Sequence, residues 1–148
     1  MADKKKKLSR HEQRVAVFQF IVERCFRTDE SAADIYLSEC EERGYSGYDY
    51  IRDVFFGAEE NAAQSLEIIK EYAVAWSPER LSNTALSLLK LSIYELLYTD
   101  TPPKVVINEA VEISKEFASV EEASFINGIL NKIARDKGLI SSQNGIAE

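Results

Sequence analysis

Residues 102–133 read PPKVVINEAVEISKEFASVEEASFINGILNKI, and the apolar spacing encodes two helices meeting across a short capped turn. In the first, Ile107, Ala110, Val111, Ser114 and Phe117 recur at the intervals of one stripe of a 3.6-residue helix. Ser119-Val120-Glu121-Glu122 then has the pattern of a capping box, in which serine and glutamate each satisfy an orphan amide. Phe125, Ile126, Ile129, Leu130 and Ile133 line the inner face of the second helix. Asn127-Gly128 has turn character, yet the stripe runs through it. A glycine in a helix interior costs roughly 1 kcal/mol against alanine, so a close approach to the backbone is expected at Gly128.

The same period governs the rest. Ser9 and Glu12 form a second capping box, opening a helix to about residue 27 with Val17, Phe18, Ile21, Cys25 and Phe26 inward. That helix puts Arg10 and Arg14 one turn apart on the same exposed side. A second helix is predicted from Thr28-Asp29 to Gly44, with Ala32, Tyr36, Leu37 and Cys40 inward. Residues 45–50 form a turn rich in tyrosine. One long helix follows over 48–72, turning Ile51, Val54, Phe55, Ala58, Ala62, Leu66 and Ile69 inward and bending at Gly57. Trp76-Ser77-Pro78 breaks the chain. Residues 82–98 are apolar nearly all round: Leu86, Leu89, Ile93, Leu96 and Leu97 on one face, Leu88 and Leu91 flanking. Such a helix belongs in the middle of a bundle. No segment alternates with the period of a strand, so the fold class is all-α.

At 148 residues, 45% hydrophobic and 29% charged, the chain suits one domain, 9–138, between a flexible basic arm over 1–8 and a fraying tail over 139–148. No apolar run nears the ~20 residues that span a bilayer, and no secretory signal follows the first lysines, so a cytoplasmic protein with no membrane partner is expected. Cys25 and Cys40 fit buried thiols better than a disulfide. The formal charge of −7 is segregated. Residues 1–14 carry Lys4, Lys5, Lys6, Lys7, Arg10 and Arg14 against Asp3 and Glu12, a net +4 that leaves −11 for the remainder. A basic arm on an acidic body can solubilise the chain or bring nucleic acid to one end, and the arginines continuing into the first helix favour the second.

Little suggests catalysis. His11 stands without metal-ligand spacing around it and reads as a solvated imidazole. Glu109, Glu112 and Glu116 read as the solvated face of an amphipathic helix, and no phosphate loop, dinucleotide fingerprint or nucleophile elbow occurs. The expectation is a non-enzyme with no cofactor and no metal. Two features suit binding: the arm with the first helix, since Lys and Arg hold phosphates, and Phe125 with Asn127, since an aromatic stacks on an unpaired base and an amide reads its edge. Core packing is the competing reading of Phe125, and periodicity alone favours it. The tyrosines of 45–50 divide the same way between base stacking and bracing the turn.

The wording PKVVINEAVEISKEF, followed by FINGILNK, closely resembles the NusB antitermination factors. The resemblance extends to Leu89-Lys90-Leu91, Tyr94-Glu95-Leu96-Leu97 and Ser9-Arg10-His11-Glu12-Gln13-Arg14, about residues 8–135 in all. It implies a bundle of about seven helices in two three-helix halves sharing a central region. It also implies binding of boxA-type single-stranded RNA in nascent ribosomal RNA as a complex with NusE, a ribosomal small-subunit protein. That complex would join NusA and NusG on RNA polymerase. By motif matching, Arg10 and Arg14 take RNA contacts, Lys90 replaces an arginine on the RNA side, and Phe117 and Phe125 match aromatics of that surface. The resemblance also implies that helices around residues 94–108 contribute to the NusE-facing side. The chain departs from the family at Val22, usually tyrosine, at Ala85-Leu86, usually an acidic-basic pair, and at Ser124, usually lysine. Leu86 could extend an apolar patch for a homodimer. Those lost charges favour a competing reading: a helical protein-interaction adaptor with little RNA affinity of its own.

Overall fold

The computed structural model describes residues 7–73 and 80–141, and every regular element among them is an α-helix. They are α1 (Arg10–Phe26), α2 (Ala32–Arg43), α3 (Asp49–Glu60), α4 (Ala62–Tyr72), α5 (Asn83–Tyr98), α6 (Pro103–Phe117) and α7 (Val120–Asp136). The apolar α5 is central, packing on α1, α3, α4, α6 and α7. One half is α1, α2 and α3; the other is α4, α6 and α7, in which α6 and α7 form a tight helical hairpin. The all-α class expected from periodicity and the two halves implied by the resemblance are both present. The break at Trp76-Ser77-Pro78, residues 142–148 of the tail and Lys4, Lys5 and Lys6 lie outside the described residues.

Serines start four of the helices. Ser9 and Ser31 each make a full capping box, with Glu12 and Asp34, while Ser82 and Ser119 accept the amides of Ala85 and Glu122. The second helix therefore opens at Ser31 rather than Thr28-Asp29, because Arg27 folds the intervening turn onto Glu30 through a 2.6 Å hydrogen bond. Gly44, at φ 74°, closes that helix in the left-handed region.

Three inward assignments differ. Phe26 is 69% and Leu37 64% exposed, and the buried residues are Phe20 and Ile35. Leu37 stands two residues, about 200° of helical rotation, from Ile35, so burying one exposes the other. Phe117, expected on the inner stripe of α6, is exposed at its C-terminal end, and Val106 and Ile113 are buried instead. Leu8 and Ile140, placed in the arm and tail, both pack against the core.

The single helix expected over 48–72 is two. Asn61 donates its side-chain amide to the Gly57 carbonyl at 2.8 Å and leaves helical geometry at φ −105°, ψ 14°. A side chain competing for a helical carbonyl ends α3 there. The close approach expected at Gly128 occurs elsewhere. Nothing lies within 4 Å of where a Gly128 side chain would begin, whereas at Gly57 that position is filled by the Tyr94 ring, itself stacked on Tyr98 at 5.6 Å. Gly57→Ala should therefore displace Tyr94 and lower stability by about 1 kcal/mol, the balance of overpacking and helix propensity. With Tyr94→Ala already in place the same change should raise stability by about 1 kcal/mol. Urea melts of the four proteins would read that reversal of sign.

Candidate nucleic-acid interface

The start of α1 is fixed by bonds to three other helices. Arg14 is only 4% exposed. Its Nε and Nη2 donate to the two carboxylate oxygens of Glu95 on α5 at 2.8 and 3.2 Å, and Nη1 donates to Glu109 Oε1 on α6 at 2.8 Å. The Tyr50 hydroxyl, on α3, donates at 2.7 Å to Glu95 Oε2, the oxygen that also accepts from Arg14 Nη2. His11 Nδ1 faces both Glu109 oxygens at 3.0 and 3.1 Å, and since a carboxylate only accepts, this nitrogen donates. Exposed Arg10 lies over the Tyr50 ring, its guanidinium carbon 4.1 Å from the centroid.

The electrostatics follow from this packing. Burial disfavours the charge on Arg14, but the hydrogen bonds and charge of Glu95 outweigh it and hold the guanidinium protonated. Burial likewise pushes the Glu109 carboxyl upward, yet hydrogen bonds from His11 and Arg14 bring it below its ordinary 4.5. Burial, then the Glu95 charge, raises the Tyr50 phenol, which stays a donor at neutral pH. The formal charges of Arg10, Arg14, Glu95 and Glu109 sum to zero. Among the described residues at this end, Lys7 and Arg10 are exposed cations.

This corrects the sequence reading at three residues. Arg14 does not project from an exposed face of α1; its guanidinium is enclosed by carboxylates. His11 is hydrogen-bonded to Glu109 rather than left to solvent, and Glu109 belongs to the network rather than the solvated face. Tyr50 and Glu95, absent from the sequence-derived site, hold it together. The other turn tyrosines brace the fold, Tyr45 stacking on Phe20 at 6.4 Å and Tyr48 accepting the Leu8 amide at 3.0 Å.

The remaining candidates are spread over separate parts of the surface. Phe117 borders one with Phe18, Val22, Thr84 and Arg43, its ring 5.4 Å from that of Phe18. Gln19 also lines that depression, and lines a second one containing Leu8 and His11, so the two meet along α1. Phe125 is half-buried against the core. Asn127 is exposed, bordering a groove between α6 and α7 with Val111 and Val120, and its carbonyls accept from Asn131 at 2.9 and 3.2 Å. Lys90 sits apart, in a cleft with Arg24, Cys25 and Glu59, where its charge opposes the effect of burial on Glu59. Of the departures from the family pattern, Ala85 is fully buried, Val22 and Leu86 pack at the core edge, and Ser124 is exposed.

The model of the NusB family matches residues 11–135. The chain belongs to the NusB family. A transcription antitermination protein NusB from Natranaerobius thermophilus is 36% identical over 132 residues, spanning 86% of this chain and 95% of that one. T. maritima NusB superposes with a TM-score of 0.79 at 32% identity, covering 95% of this NusB-family chain and 100% of its own. A chain in a crystal structure of antitermination factors NusB and NusE with double-stranded RNA gives a TM-score of 0.75, covering 87% of this chain and 99% of that one. At 21% identity the last likeness establishes fold alone. Among the described residues no helix is long and apolar enough to cross a membrane, and no group of three or more histidine, cysteine or acidic side chains could hold a metal ion.

Proposed function

We propose that this NusB-family chain is an RNA-binding transcription antitermination factor, taking boxA-type RNA of nascent ribosomal RNA transcripts in complex with NusE. The observation that carries this reading is the start of α1, where exposed Lys7 and Arg10 stand at the end of a segment of net +4 on a body of −11. The antitermination names of its relatives and the NusE and RNA of the more distant complex support it. In this reading Lys4, Lys5, Lys6, Lys7 and Arg10 hold phosphates, and Phe117, Phe125 and Asn127 meet bases along the α1, α6 and α7 surfaces. Lys90 is peripheral, and Arg14 shapes the site from within. The protein acts in the cytoplasm as one helical domain with a basic arm, without catalysis or cofactor. It reaches NusA, NusG and RNA polymerase through the assembled complex, and self-association through the Leu86 side would compete with that assembly.

Fluorescence anisotropy with a labelled boxA-like strand, a scrambled strand and a duplex of the same sequence tests the reading, each with and without NusE. The expected result is preferential binding of the boxA-like single strand, strengthened by NusE. Equal affinity for the scrambled strand at moderate salt would overturn the assignment. The enclosure of Arg14 favours a second reading, an adaptor that binds NusE with little RNA affinity. It predicts intact NusE binding and weak RNA binding indifferent to Arg10→Ala.

A further inference from the structure

The clustering of aromatic and ionic groups beneath Arg10 gives that residue a support no other exposed cation is seen to have among the described residues. Tyr50 is held at its far end, where its hydroxyl donates to Glu95 at 2.7 Å, and Glu95 is itself gripped by Arg14 through two hydrogen bonds. The ring is thereby fixed at an edge of the buried network, and the Arg10 guanidinium rests over it at 4.1 Å. A long cation loses side-chain entropy when it grips a phosphate, and a side chain already held in place loses less. A guanidinium over an aromatic face is held by cation–π attraction and keeps its outer side and N–H donors free for a ligand.

We propose that Tyr50 is a positioning residue for RNA binding: its ring, clamped through Glu95 to Arg14, holds Arg10 in the geometry that contacts the RNA strand. The proposal rests on the RNA-binding reading above. It makes Tyr50 act through Arg10 and not through the stability of the fold.

A double-mutant cycle in RNA affinity separates those roles, using the full chain with NusE and a labelled boxA-like strand. Tyr50→Leu should weaken binding roughly three- to fivefold while leaving the salt dependence unchanged, because no charge is lost. Arg10→Ala should weaken binding and also reduce the slope of log K against log salt by about 0.7. In the Arg10→Ala background, Tyr50→Leu should have no further effect. Tyr50→Phe, which keeps the ring and loses only its hydroxyl tie to Glu95, should show a smaller loss than Tyr50→Leu, about twofold. An equal loss from Tyr50→Leu in both backgrounds, or a loss from Tyr50→Phe as large as that from Tyr50→Leu, would overturn the proposal. NMR of the unmutated chain tests it without any substitution. Arg10 side-chain protons should carry a ring-current shift that persists in the RNA complex, and disappearance of the shift on binding would show that Arg10 leaves the ring to reach RNA. Wild type that prefers no strand refutes the RNA reading itself; boxA binding indifferent to Arg10→Ala refutes only the positioning role.

Discussion

Arg14→Ala is expected to cost about 3–5 kcal/mol of stability, because it leaves the Glu95 carboxylate buried without its cation. Glu95 is 1% exposed, and losing Arg14 leaves it only the Tyr50 hydroxyl as a side-chain donor among the described residues. For a chain of this size each kcal/mol shifts the melting midpoint by roughly 2–4 °C, so a fall on the order of 10 °C is expected in a thermal melt. The double change Arg14→Leu with Glu95→Leu should recover much of the loss, since replacing both partners of a buried pair by apolar residues is often close to neutral. Recovery stays partial because Glu109 also loses a donor, keeping only His11 at 3.0 Å. The salt slope of RNA binding should be unaltered in a folded Arg14→Ala sample, as a guanidinium engaged by carboxylates neutralises no phosphate. A melt indistinguishable from wild type would refute the buried-pair account.

The second large effect concerns salt. Four lysines and Arg10 offer three to five phosphate contacts, and each adds about −0.7 to the slope of log K against log salt on a single strand. The expected slope of roughly −2 to −3.5 corresponds to a loss of roughly 15- to 130-fold in affinity between 50 and 200 mM salt. Deleting residues 1–7 should leave a slope near about −0.7, that of Arg10 alone. The fold should survive, since the cut falls before Leu8, whose amide donates to Tyr48, and before the Ser9 cap. Titrations of both chains at several salt concentrations check it. A deletion that leaves the slope unchanged would mean the phosphate contacts lie elsewhere, with Lys90 the first residue to test.

Helix existence was legible because burial imposes a 3.6-residue period, and the serine caps marked starts at Ser9 and Ser119. Fine register was less so. On the short α2, several stripes satisfy the same period, and only packing chooses Ile35 over Leu37. The break at Asn61 was hidden because the apolar stripe continues on both sides of it, while the cause is one amide reaching a carbonyl four residues back. Of the site, Arg10 was visible as a charge at a capped helix start. The network beneath it was not, because its members are 81 and 95 residues apart in sequence. A clue was available: Glu95 is a carboxylate within the most apolar helix, and a charge there needs a partner. Arg14, at the right spacing on α1, was credited to solvent because local periodicity does not distinguish a lysine-like surface cation from one aimed at the core.

The same separations bear on the order in which the molecule is made. Contacts close in sequence, such as the α6–α7 hairpin, close short loops and form early, whereas ties spanning most of the chain wait for their distant partner. Arg14 leaves the ribosome long before Glu95 and Glu109. A nascent chain thus carries its cationic end from the outset, whereas the full set of bonds that holds Arg14 waits until the segment through residue 109 has emerged and docked. Premature truncation before α5 would leave the charge and remove both carboxylates that hold Arg14.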